Sequence, residues 1–149
     1  MKNSNNIKNI SLNSLKLENL FSNKRENILF DKSNLVSLIK DKKYKEAYAL
    51  TKQNLVSNSK DSDLWYLMAV ISRINNDTNL ASICLKNGLS LNPNDIKLIV
   101  LYCMNCIDKS LFKEALEALK KIEEKELFPE VLNAYALVYR GLEKNNLAL

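Results

Sequence analysis

The sequence predicts an all-α protein built from stacked helix-turn-helix units, and three observations lead there. Only two glycines and two prolines occur in 149 residues, too few for the tight turns of a β-protein. Apolar residues recur at spacings of three and four, which marks one face of a helix. The chain also matches itself at a shift of 34 residues, the kind of fixed period that signals a repeat architecture.

Residues 1–11 are polar and expected to be flexible. Residues 12–32 carry Leu12, Leu15, Leu17, Leu20, Phe21, Ile28, Leu29 and Phe30 in neither a helical nor a strand period. Two uses are open for them, a cap over the first repeat or a plug in its groove. Residues 1–33 are therefore read as a flexible or capping segment, and 34–149 as the repeat domain. Its units fall at about 28–61, 62–95, 96–128 and a partial 129–149.

In the first unit, "YKEAYALTKQNL" reads as a second helix. Its Tyr44 and Ala47 align at the period with Thr78 and Ala81, and with Phe112 and Ala115. Leu35, Ala69 and Cys103 form a further column, as do Leu38, Ser72 and Cys106. In "SDLWYLMAVISRIN", Leu64, Leu67, Met68, Ile71 and Ile74 mark a helical face. "NDT" breaks the pattern and supplies capping side chains, and "LASICLKNGLSL" restarts it with Leu80, Ile83, Leu85 and Leu89. Pro93 ends that helix because it lacks an N–H and disfavours helix at Asn92. Asn94 and Asp95 can cap the next one. Gly88 lies inside the helix, where glycine costs about 1 kcal/mol against alanine, so a close approach by a neighbouring helix is expected there. "LFKEALEAL" is the next second helix, and from Pro129 "PEVLNAYALVYRGLEKNNLAL" reads as a fourth first helix with a stub from Ala148. Its apolar ending is read first as a fragment boundary and second as a surface for self-association.

Composition excludes several chemistries. Without histidine there is no Ser-His-Asp or Cys-His nucleophile and no ordinary zinc site. Two glycines cannot build a phosphate-cradling loop. No catalytic residue, metal or cofactor is expected, and the chain is read as a non-enzyme. The net charge of +5 comes mostly from lysines interleaved with acids, with arginine only at Arg25, Arg73 and Arg140. That is a solvated surface and not a nucleic-acid footprint. No apolar run approaches the roughly 20 residues that cross a bilayer. The first residues lack a secretory pattern, and Cys84, Cys103 and Cys106 in apolar stretches suit buried thiols in a reducing compartment. The expected location is cytoplasmic. "Cys-Met-Asn-Cys" at 103–106 has redox spacing but no βαβ context, so it is read as core.

At this point the chain resembles the tetratricopeptide repeat. With Ser62 as first position, Trp65, Ala69, Ala81, Leu85, Gly88 and Pro93 fall on that family's favoured positions, and "LSLNPND" looks like its usual ending. Ser72 departs from the family aromatic, and Leu127 stands where proline is usual, with Pro129 two residues later. The resemblance implies a right-handed α-solenoid of about three such repeats plus a C-terminal helix. It also implies a concave groove lined by the first helices. Position by position, that groove would take Asp63, Tyr66, Val70, Arg73 and Ile74, then Lys97, Val100, Met104, Ile107 and Asp108, with Lys32, Val36 and Ile39 from the first unit. One subclass of the family clamps chaperone C-terminal carboxylates. Lys32 and Lys97 match its lysines, but Val36, Leu67 and Leu101 replace its other donors. The implied function is a protein–protein scaffold or chaperone-like module that binds a peptide or helix in an apolar groove, away from membranes and nucleic acid. Two alternatives are a repeat region of a larger enzyme, such as a glycosyltransferase, and an RNA binder of the pentatricopeptide kind.

Overall fold

The computed structural model describes residues 32–147, with no side-chain description at 147. The expectations of a flexible leader, a cap or a plug in residues 1–31, and of a helix start at Ala148, lie outside the described residues. Every regular element among the described residues is helical. The helices are α1 (Lys32–Lys40), α2 (Tyr44–Ser57), α3 (Ser62–Ile74), α4 (Thr78–Leu91), α5 (Ile96–Asp108), α6 (Phe112–Leu119) and α7 (Pro129–Leu147), with one 3-10 turn at Glu124–Glu126.

Local chemistry accounts for most boundaries. Asp61, Asp77 and Asp95 are the N-caps of α3, α4 and α5, and each carboxylate accepts a backbone N–H of the first turn. The turns inside the hairpins share a device that the sequence does not advertise. Lys42, Asn76 and Ser110 all adopt left-handed backbone, with φ of 60°, 59° and 60°. In each, the next N–H returns to a carbonyl five residues back. Lys43 N bonds Leu38 O at 2.9 Å, Asp77 N bonds Ser72 O at 2.8 Å and Leu111 N bonds Cys106 O at 2.8 Å. This is the Schellman ending, made three times without glycine. It explains the column of Leu38, Ser72 and Cys106, which are the accepting residues. The second helices begin at Tyr44, Thr78 and Phe112, 34 residues apart each time.

Each helix packs on its neighbour in sequence, and α1 also touches α3, α3 touches α5 and α5 touches α7. Two apolar cores result. The first joins Leu35, Leu55, Leu64, Trp65, Met68 and Leu85 to Leu98 and Leu101 of α5. The second joins Ile99, Cys103 and Cys106 of the same helix to Ala115, Leu119 and Ile122, and to Val131, Ala134 and Val138 of α7. Helix α5 is thus buried on two sides. Trp65 satisfies its indole N–H on Ser59 O at 2.8 Å. Asn105, buried in α5, donates to Thr78 O at 3.2 Å and Ser82 Oγ at 2.8 Å, which ties α5 to α4. Gly88 does sit at a close approach, since a Cβ there would lie 2.9 Å from Leu98 Cδ2.

One sequence expectation needs correction. Ile83 is half exposed and not on the buried stripe of α4, which runs instead through Leu80, Ala81, Cys84, Leu85 and Gly88. The face of α4 that meets two neighbours is set by its small residues, which a count of large apolar side chains overlooks. Helix α6 stops after 8 residues, where α2 and α4 each run for 14. The chain turns after Leu119, buries Ile122 and reaches α7 through the 3-10 turn. The buried face of α7 is Val131, Ala134 and Val138, while Ala136 and Tyr139 are exposed.

Candidate functional site

The odd-numbered helices lie in a row, and their capped N-terminal ends gather charge. Asp61 and Asp95 are held as caps, so their carboxylates are fixed near the second residues of α3 and α5, Asp63 and Lys97. Lys32 Nζ bonds Asp61 at 2.8 Å and Asp63 Oδ2 at 2.9 Å. Lys97 Nζ bonds Asp63 Oδ1 at 2.7 Å and Asp95 Oδ2 at 2.6 Å. Asp63 therefore bridges two lysines across three helices. The Lys97 and then the Lys32 hydrogen bond hold its carboxyl below the usual range. Burial works against the charge of both lysines, but their carboxylate hydrogen bonds outweigh it and raise them above the usual range. At the other end of the row, Arg73 Nη2 meets Asp108 Oδ2 at 2.8 Å.

Between these charged ends the surface is apolar. Ile39, Tyr66 and Val70 pack half-buried against the first core, and Val100 and Ile107 against the second. Met104 is half-buried, whereas Val36 and Ile74 are exposed. Lys97 Nζ also stands 5.5 Å from the centre of the Tyr66 ring, a cation–π distance. Of the residues read from sequence, Tyr66, Lys97, Val100 and Met104 come together around one cleft of about 330 Å³. The cleft is completed by Ile96, Leu101, Phe128, Glu130 and Val131. Val36, Ile39, Asp63, Val70, Arg73, Ile74 and Ile107 do not line it.

Phe128, Glu130 and Val131 were missed because the cleft's far wall depends on where the short α6 and the turn after it deliver the start of α7. The one local sign is "LFPEV", an exposed phenylalanine held extended by the proline after it. Phe128 is 51% exposed and forms a lip that a ligand could cover.

Two other hollows carry less. One of about 660 Å³ is lined only by the polar connection Ser57–Ser62. One of about 480 Å³ lies on the opposite side, where Lys86 and Lys121 alternate with Glu114 and Glu117. Burial pushes the Cys84 thiol up to about 12 and the Cys103 thiol up to about 12, and raises Cys106 as well. Cys103 donates its S–H to Ala115 O at 3.3 Å. Such thiols carry little thiolate at neutral pH. Comparison with protein-family models and with curated proteins finds no match to this chain.

Proposed function

We propose that this chain is a tetratricopeptide-like α-solenoid that serves as a protein-interaction module, with no chemistry of its own, in the cytoplasm. Its ligand is a peptide or helix that lays an apolar anchor into the cleft between α3, α5 and the start of α7. The observation that carries this reading is the composition of that cleft, where Tyr66, Val100, Met104 and Phe128 face one another. The recurring 34-residue helix starts and the row of odd helices support the solenoid.

Burying roughly 150 Å² of an aromatic anchor at about 25 cal/mol per Å² is worth near 4 kcal/mol before entropy costs. Two or three anchors hold a peptide at micromolar strength after those costs. The charged ends favour neither a free carboxylate nor a phosphate backbone as ligand. Lys32, Lys97 and Arg73 already meet Asp61, Asp63, Asp95 and Asp108.

A displayed peptide library tests the proposal. Selected sequences should share one or two large apolar residues, and a Tyr66→Ala/Met104→Ala variant with unchanged circular dichroism should lose their binding. Equal retention by that variant would remove the cleft as the site.

A further inference from the structure

Lys32, the first described residue, stands at the same end of the helix row as the cleft. Its Nζ meets Asp61 and Asp63 at the start of α3, and Asp63 in turn meets Lys97, which lines the cleft. Residues 1–31 therefore join the fold two helices away from it. Helix axes pack about 8–10 Å apart, which puts α1 and α5 roughly 20 Å apart. Eleven residues separate Phe21 from Lys32, and at about 3.3 Å each they reach roughly 36 Å. Residues 12–21 can thus arrive at the cleft with chain to spare, whereas Ile28, Leu29 and Phe30 are too close to Lys32 to do so. Half of residues 12–21 are large and apolar: Leu12, Leu15, Leu17, Leu20 and Phe21. Charge suits the mouth of the cleft as well. Lys97 is already held by Asp63 and Asp95, while Glu130 meets no cation among the described residues. Lys16 on one side and Lys24 with Arg25 on the other bracket residues 17–21, with Glu18 the one acid between them.

We propose that residues 12–21 occupy the cleft of their own chain, with Leu20 and Phe21 as anchors, so that an outside ligand must displace them. This rests on the cleft being a peptide site, and it names the first occupant of that site. The route is apolar: Val36 of α1 is 39% exposed, and Tyr66 of α3 is half-buried beside the cleft. A tether of about ten residues gives the segment an effective concentration of millimolar order. Set against the roughly micromolar strength of two anchors, this makes an outside peptide about a hundredfold weaker than it would be at an empty cleft.

A labelled synthetic peptide of residues 12–26, titrated against the full chain and against its Leu20→Asp/Phe21→Asp variant, tests this. The variant should bind the peptide at least tenfold more tightly than the parent, and adding Tyr66→Ala/Met104→Ala to the variant should abolish that binding. Equal binding by parent and variant would overturn the proposal. If Tyr66→Ala/Met104→Ala still removes that equal binding, the cleft stands as an open peptide site. No binding to either chain would also overturn it, and the displayed library then decides the cleft separately. A second arm fixes the geometry. An Asn19→Cys/Glu130→Cys chain should be linked within itself by a short bis-maleimide, and an Asn19→Cys/Lys121→Cys chain, with its second site on the opposite side, should not. Links formed only between chains would overturn the proposal and assign the segment to the cleft of a second copy.

Discussion

Gly141 of α7 lies beneath the ring of Phe112, the first residue of α6. A Cβ built at Gly141 would come within 2.2 Å of Phe112 Cε1 and 2.5 Å of Cζ. Gly88 makes the milder contact, 2.9 Å to Leu98 Cδ2, the free end of a flexible side chain. Alanine gains about 1 kcal/mol over glycine inside a helix, so the two sites should respond differently. Gly141→Ala should lose about 1–3 kcal/mol, because the whole ring must move. Gly88→Ala should fall within about 1 kcal/mol of the parent, since a small turn of Leu98 relieves the contact while the helix gains. Urea unfolding of both variants checks the order, and a more stable Gly141→Ala would contradict it.

The three left-handed turn residues offer a stabilisation series. A left-handed residue with a Cβ costs roughly 1–2 kcal/mol, and asparagine tolerates the conformation best. Lys42→Gly and Ser110→Gly should each stabilise by about 0.5–1 kcal/mol, after the extra flexibility of glycine in the unfolded chain is subtracted. Asn76→Gly should change little. Thermal melts that rank Asn76→Gly as the largest gain would refute the strain argument.

Stability should be nearly flat from about pH 5 to 9. The Lys97 and Lys32 hydrogen bonds lower the folded pKa of Asp63, so its contribution is present above the unfolded value near 4 and is lost as pH falls through the folded one. For Lys32 and Lys97, carboxylate hydrogen bonds win over burial and raise the folded pKa. Their contribution is present below the unfolded value near 10.4 and lost as pH rises through the folded one. The chain contains no histidine to titrate in between. Asp63→Asn should soften the acid limb and cost less than about 1 kcal/mol at neutral pH, because the carboxylate is 42% exposed. A stability step near pH 6.5 in the parent protein would be inconsistent with this.

All three cysteines are buried and free. With burial first, and then Asp77 for Cys84 and Cys106 for Cys103, holding their pKa values up, a disulfide exchange reagent at pH 8 should react slowly with the folded protein. Urea should release all three thiols at once. Rapid labelling of Cys103 or Cys106 in the folded state would point to an opening of the second core.

Much of this architecture is written in short-range chemistry. Asp77, Asp95 and Pro93 act within a few residues of themselves, so their boundaries could be read without coordinates. The 34-residue period and the close approach at Gly88 were legible for the same reason. The left-handed turns at Lys42, Asn76 and Ser110 were not, because the usual glycine is absent and the neighbouring backbone bonds impose the conformation. Among the candidate residues, Tyr66, Val100 and Met104 share a cleft as their positions implied. Phe128 and Glu130 join them only through the path taken after the short α6.

By itself, then, the amino-acid order determined the helices, their caps and their spacing, because those depend on contacts within one or two turns. The bridging of Lys32 and Lys97 by Asp63 and the far wall of the cleft were decided by tertiary structure. Each depends on how one helix is rotated against another, and that rotation follows from side-chain volumes meeting across the core, which no local pattern encodes.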